Sequence, residues 1–221
     1  MVAWRPQHAE ANGTVPWRVE ARYALLVEAF RSGTTATVLD EAFILSHYVF
    51  DALSVLHNTS NFDPDGLHSR WESDMLGNST RLNGVTTAAQ AYYGTPGLAD
   101  PRHHTFDLVL VGNALVGPLV AADQAARAAD AGIWGLYEGT RDLTARRWGD
   151  GVTFMSSLLW SAWNEAGRPE LAGFSTSCSR AAPTEQLVVV GYPPPDGFTR
   201  PMDGGVEDAG AGGGGEVAGG G

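Results

Sequence analysis

Apolar positions recur with a helical period through the first three-quarters of the chain and then lose it. Val19, Tyr23, Leu26, Val27 and Phe30 stand three and four residues apart behind Thr14 and Pro16, and Ser32-Gly33 closes the run. A helix turns about 100° per residue, so such positions share one face. A hydroxyl cap followed by proline in the first turn is a helix start. A second helix is predicted from about Ala36 to Leu56, with Leu39, Ala42, Leu45, Val49, Leu53 and Leu56 as its buried stripe. From Asn58 to Pro64 the chain is polar and turn-rich and reads as a loop. Asp63-Pro64 then supplies a cap and first turn for a short helix that carries His68 and Glu72.

Gly77 to Gly84 reads as a connection, followed by a short helix over Thr86 to Tyr93. Asp100-Pro101 opens a long apolar stretch, Phe106 to Ala129, with a break expected at Gly117-Pro118 because proline removes a helical hydrogen bond. Tyr137 to Trp148 is a further helix. Asp150 is read as the cap of the last one, in which Phe154, Leu158, Leu159 and Ala162 recur until Gly167 and Pro169 stop it. Leu187 to Val190 is the one compact β-branched run, and Pro193 to Pro195 ends it. Beyond it the chain turns to Gly, Ala and acid, which bury too little apolar surface to offset their ordering entropy. The expected organisation is an all-α domain over residues 1–173 and a disordered Pro/Gly-rich tail over 174–221, with no internal repeat.

Composition narrows the function classes. A formal charge of −11 argues against a stable nucleic-acid partner, since phosphate backbones are held by clustered Arg and Lys. Bound cations would neutralise a local acidic site, so a phosphate-ester substrate is compatible with that charge. The single cysteine, Cys178, excludes an intramolecular disulfide. No uninterrupted run of about 18 apolar residues exists, so no membrane span is expected. The N-terminus lacks the charged and apolar segments of a secretory signal, which as written implies a cytoplasmic protein.

The densest chemistry lies between His47 and Glu72. Three imidazoles (His47, His57, His68) and two carboxylates (Asp51, Glu72) occur around one short loop, and twice they sit four residues apart. That spacing puts a pair on one helix face, and imidazole with carboxylate is a ligand set that suits zinc. On a straight helix His57 lies about 80° away from the His47 face. Two neighbouring ions are therefore expected, His47 and Asp51 on one, His57, His68 and Glu72 on the other. Three protein donors with an open position is the pattern of a catalytic zinc. His103-His104 is read as a surface pair and Trp160 and Trp163 as packing residues.

These residues resemble the zinc-dependent phospholipase C and single-strand-specific nuclease superfamily. The likeness rests on His47-Tyr48-Val-Phe-Asp51, on His57 six residues later, and on Leu67-His68-Ser-Arg-Trp71-Glu72. Pro16-Trp17-Arg18 and the Leu159-Trp160 to Pro169 segment extend it over about residues 14–173. The resemblance implies an all-α hydrolase with up to three zinc ions. It implies that His47 and Asp51 bind the first, with Asp51 bridging to the third as the catalytic carboxylate, and that His57, His68 and Glu72 bind the second. Glu72 is closer to the phospholipase form than an aspartate would be. Phe50 and Val55 replace a usual Gly and Pro, and Trp4 and His8 are poor substitutes for the family's N-terminal ligands. The chain thus looks like the C-terminal two-thirds of the family domain with one complete zinc site, and an exported protein if its true N-terminus precedes Met1. The expected function is hydrolysis of phosphodiesters in phospholipid or single-stranded nucleic acid. A non-catalytic metal-binding helical domain is the alternative, and a metal-free helical bundle a third.

Overall fold

The computed structural model describes Gly13 to Ala172 and, within those residues, is all-α, with no strand. Seven helices carry the fold: α1 (Val15–Ser32), α2 (Thr35–Leu53), α3 (Leu67–Ser69, continuing as a π-helical turn over Arg70–Asp74), α4 (Ser79–Ala89), α5 (Pro101–Ala114), α6 (Val116–Ala128) and α7 (Gly132–Glu165). Short 3-10 turns at Leu56–Asn58, Pro64–Gly66 and Gln90–Tyr92 link them. The Leu187–Val190 run, the tail 174–221, Cys178, Trp4 and His8 lie outside the described residues.

Several boundaries differ from the sequence expectation, each for a physical reason. α2 stops at Leu53, three residues early, because Ser54 turns to extended backbone. Leu39, expected in its buried stripe, is 54% exposed, and Leu45, Val49 and Leu53 do the burying. α4 starts within the expected Gly77–Gly84 connection, since Asn78 accepts the amides of Thr80 and Arg81 and nucleates a turn there. The apolar stretch breaks at Leu115 rather than at Gly117-Pro118. Pro118 falls in the first turn of α6, where its missing N–H has no intrahelical partner to lose.

The largest difference is α7, expected as two helices and found as one of 34 residues. Asp150 caps nothing: it is buried inside that helix. The neighbouring glycines permit close packing instead of a turn. A Cβ on Gly149 would lie 2.5 Å from Tyr92 Cβ, and one on Gly151 would collide with Leu53.

Two apolar cores flank α7. Val19, Leu26, Leu45, Val49 and Leu108 meet its C-terminal half at Phe154 and Leu158. Leu56, Leu67, Trp71, Met75, Val85 and Leu119 meet its N-terminal half at Leu136 and Ala145. The chain passes from the first core to the second at the end of α2, and the ligand cluster stands at that passage. Pro101–Ala128, the run of α5 and α6, also contains an 18-residue window of mean hydropathy 1.7, of which 28% is buried, and so passes for a membrane-crossing segment by length and composition. A count of uninterrupted apolar residues does not register it. In this fold Leu108, Leu115, Leu119 and Ala126 of that stretch are buried within the helical packing.

Candidate metal centre

Three segments bring the cluster together. The last turns of α2 carry His47 and Asp51, the 3-10 turn after it carries His57, and the α3 segment carries His68 and Glu72. The loop before α3 is shaped by left-handed backbone at Asp65 (φ 53°) and Gly66 (φ 71°). Asp63-Pro64 does not open this helix as expected, because Pro64–Gly66 forms a separate 3-10 turn and the helix starts at Leu67, but Asp63 Oδ1 still accepts the amide of His68 at 2.9 Å. Glu72 lies on the π-helical turn, a local widening that is frequent at functional sites. The same turn is pinned to α7, because the buried indole of Trp71 donates to Thr144 Oγ1 at 3.1 Å.

Distances define a chain of contacts rather than one knot. Asp51 lies between two imidazoles, with Oδ2 3.4 Å from His47 Nε2 and Oδ1 3.4 Å from His57 Nδ1. The far nitrogen of His57, Nε2, is 3.1 Å from His68 Nε2 and 3.7 Å from Glu72 Oε1. His68 Nε2 in turn lies 3.0 Å from Glu72 Oε2. His57, His68 and Glu72 therefore present three donor atoms within 4.8 Å of one another, the one such three-donor group found among the described residues. His47 and Asp51 form a separate pair beside it, reached through the other face of the His57 ring.

The donor spacing fits a zinc ion. Zn–N bonds of about 2.0–2.1 Å at tetrahedral angles set neighbouring donors about 3.3 Å apart. His68 Nε2 stands 3.1 Å from His57 Nε2 and 3.0 Å from Glu72 Oε2, close to that value, and the 3.7 Å separation of His57 Nε2 is to the other Glu72 oxygen, Oε1. The chemistry of the set agrees as well, since two imidazoles and a carboxylate are common ligands of a catalytic zinc. Each side chain remains partly open to solvent, at 34%, 29% and 33% exposure, so an ion and a further ligand have access.

A cleft of about 440 Å³ opens beside the cluster. Its lining combines His47, Asp51, His57 and Glu72 with the apolar side chains of Phe43, Phe50, Leu76 and Trp148. Ser54 also lines it, and its hydroxyl donates to Glu72 Oε1. No sequence signal pointed to Ser54, because the helix expected to run to Leu56 placed it as one more polar residue of the last turn. His103 and His104 lie elsewhere: both engage Asp100, and His104 packs against Phe154. Trp160 and Trp163 pack against each other with ring planes tilted by 41°, and the Arg168 guanidinium lies over both. No protein-family model, curated protein or solved structure matches this chain.

Proposed function

We propose that this protein is a zinc-dependent phosphoesterase of the phospholipase C and nuclease type. The observation that carries the reading is the convergence of His57 Nε2, His68 Nε2 and a Glu72 oxygen at near-tetrahedral donor spacing beside an open cleft. These three side chains would hold one zinc and leave a position open towards the cleft. A zinc bound there would polarise a phosphoryl oxygen and make a coordinated water acidic enough to supply hydroxide near neutral pH.

The chain's own groups divide the remaining work. His57 Nε2 and His68 Nε2 already lie 3.1 Å apart, which lowers the ordering cost of binding, and an ion entering there would displace the proton they share. Asp51 and His47 would offer two donors to a neighbouring ion, and Asp51, 3.4 Å from His57 Nδ1, would also orient that ring from the nitrogen remote from the proposed zinc. The apolar lining from Phe43, Phe50 and Trp148 would receive the uncharged part of a substrate. That lining and the charge of −11 favour an ester with an apolar portion over a nucleic acid. A second reading, a metal-binding domain without turnover, is favoured by the single three-donor group beside a two-donor pair.

The test is zinc content by elemental analysis on wild type and His57→Ala, beside hydrolysis of a chromogenic phosphodiester. Two or more zinc ions with turnover lost in the variant support the phosphoesterase. One zinc, lost in the variant and without turnover in wild type, supports the non-catalytic domain. Wild type free of zinc after loading overturns both.

A further inference from the structure

Ser54 contacts the side chain of one candidate ligand residue and the backbone of another. Its hydroxyl donates to Glu72 Oε1, and its carbonyl accepts the amide of His57 at 3.2 Å. It does so because α2 ends at Leu53: at φ −63° and ψ 120° Ser54 leaves the helix and begins the turn that carries His57. The same carbonyl accepts Asn58 Nδ2 at 2.7 Å, so its position is fixed from two directions.

We propose that Ser54 is a positioning residue for metal capture, setting the carboxylate of Glu72 from outside the ligand group. With Oε1 engaged by the hydroxyl, Oε2 faces His68 Nε2 at 3.0 Å, and an ion meets an oriented oxygen. A glutamate without that bond keeps its rotamer freedom until the metal arrives, and the entropy of ordering it is subtracted from binding. Hydrogen-bond partners of metal ligands commonly contribute about 10–100-fold in affinity. This role rests on the proposed metal site and goes beyond it by adding a residue that touches no ion. Ser46 provides the comparison, for it lies on the same helix and lines the same cleft, yet its hydroxyl bonds to the carbonyl of Phe43 at 2.7 Å.

The experiment is a Zn2+ titration against a chromogenic chelator, with Co2+ absorption spectra, on the full chain. The variants are Ser54→Ala, Ser54→Thr, Ser54→Val and Ser46→Ala, each checked for helicity by circular dichroism. Threonine and valine have the same shape and differ in the hydroxyl, so their comparison separates hydrogen bonding from packing. Expected are wild-type affinity in Ser46→Ala, a drop of about 10–100-fold in Ser54→Ala, and a similar gap between Thr and Val at position 54. The Co2+ spectrum should shift in the variants that lack the hydroxyl. Equal affinity for the Thr and Val variants overturns the role of Ser54 while leaving the metal site standing. A wild-type chain that binds neither metal overturns the site itself, and with it this role.

Discussion

Arg147, wholly buried on α7, donates through Nε to the carbonyl of Leu53, the last residue of α2, at 3.0 Å. Its Nη2 reaches the carbonyls of Ala52 and Leu108 at 3.3 and 2.8 Å. Helix C-termini leave four carbonyls without intrahelical partners, and this guanidinium takes two of them at the point where the chain turns towards His57. Gly112 permits the approach, since a Cβ there would collide with Asn58, whose Nδ2 shares the Ala52 carbonyl with Arg147 and also reaches that of Ser54.

Replacing this side chain should therefore damage both fold and site. Arg147→Met keeps much of the volume and leaves the carbonyls of Leu53 and Leu108 without this donor. An expected loss of about 3 kcal/mol follows from stranding buried polar groups. Denaturant unfolding checks it, and zinc affinity should fall together with stability. Unchanged unfolding would mean that water or neighbouring donors replace the guanidinium.

The facing nitrogens of His57 and His68 give the most direct metal prediction. Neither His57→Ala nor His68→Ala leaves three donors, and each should lower zinc affinity by at least about 100-fold. Both should leave the helical circular dichroism intact, because the rings lie at the surface of the fold. Chelator competition gives the number. Wild-type affinity in either variant would place the metal elsewhere.

Asp150 makes a prediction about pH. Burial raises its carboxyl from the ordinary value to about 6, against the opposing attraction of Arg147 and then Arg146. Its Oδ1 has no hydrogen-bond partner among the described residues, and Oδ2 stands 3.9 Å from Arg147 Nη1. Between about pH 4 and 6 the folded chain therefore holds a proton that the unfolded chain releases, so this group lowers stability as pH rises through that window. The shift corresponds to about 2–3 kcal/mol, fully expressed above pH 6. In Asp150→Asn that component disappears. The stability of wild type relative to the variant should fall from pH 4 to 6 and then level, as urea unfolding at several pH values would show. A flat difference would refute the assignment.

Gly149 tests the continuity of α7. In an open helix Gly→Ala gains about 1 kcal/mol of propensity. Here the added Cβ would lie 2.5 Å from Tyr92 Cβ and 3.0 Å from the Tyr92 backbone, so overpacking should win by about 1–3 kcal/mol. Thermal unfolding of Gly149→Ala should show destabilisation. A gain in melting temperature would mean that the 3-10 turn Gln90–Tyr92 yields to the new methyl.

How much of this was readable in advance depended on the range of the interaction. The helical period of Val19, Leu26, Val27 and Phe30 placed α1 because one helix face against one core is a local pattern. The i, i+4 pairs His47/Asp51 and His68/Glu72 likewise fixed two halves of the cluster, since four residues of helix make neighbours whatever the rest of the chain does. Polar content over Asn58–Pro64 marked the loop between them.

Tertiary structure decided what those local signals left open. Gly149-Asp150-Gly151 reads as a helix break, and only the presence of Tyr92, Phe50 and Leu53 against those glycines keeps α7 unbroken. Leu39 belongs to the apolar period of α2 and yet faces outwards, because on that turn it is the neighbouring Val38 that enters the core. The meeting of His57 with His68 and Glu72, and the hand of Ser54 upon Glu72, depend on where α2 ends and how the π-helical turn is pinned to α7. The sequence by itself determined the all-α class and the stretch in which residues of metal-ligating type gather. Which of those residues share one donor group was decided by packing between segments far apart in the chain, and such contacts leave no periodic trace in the order of the residues.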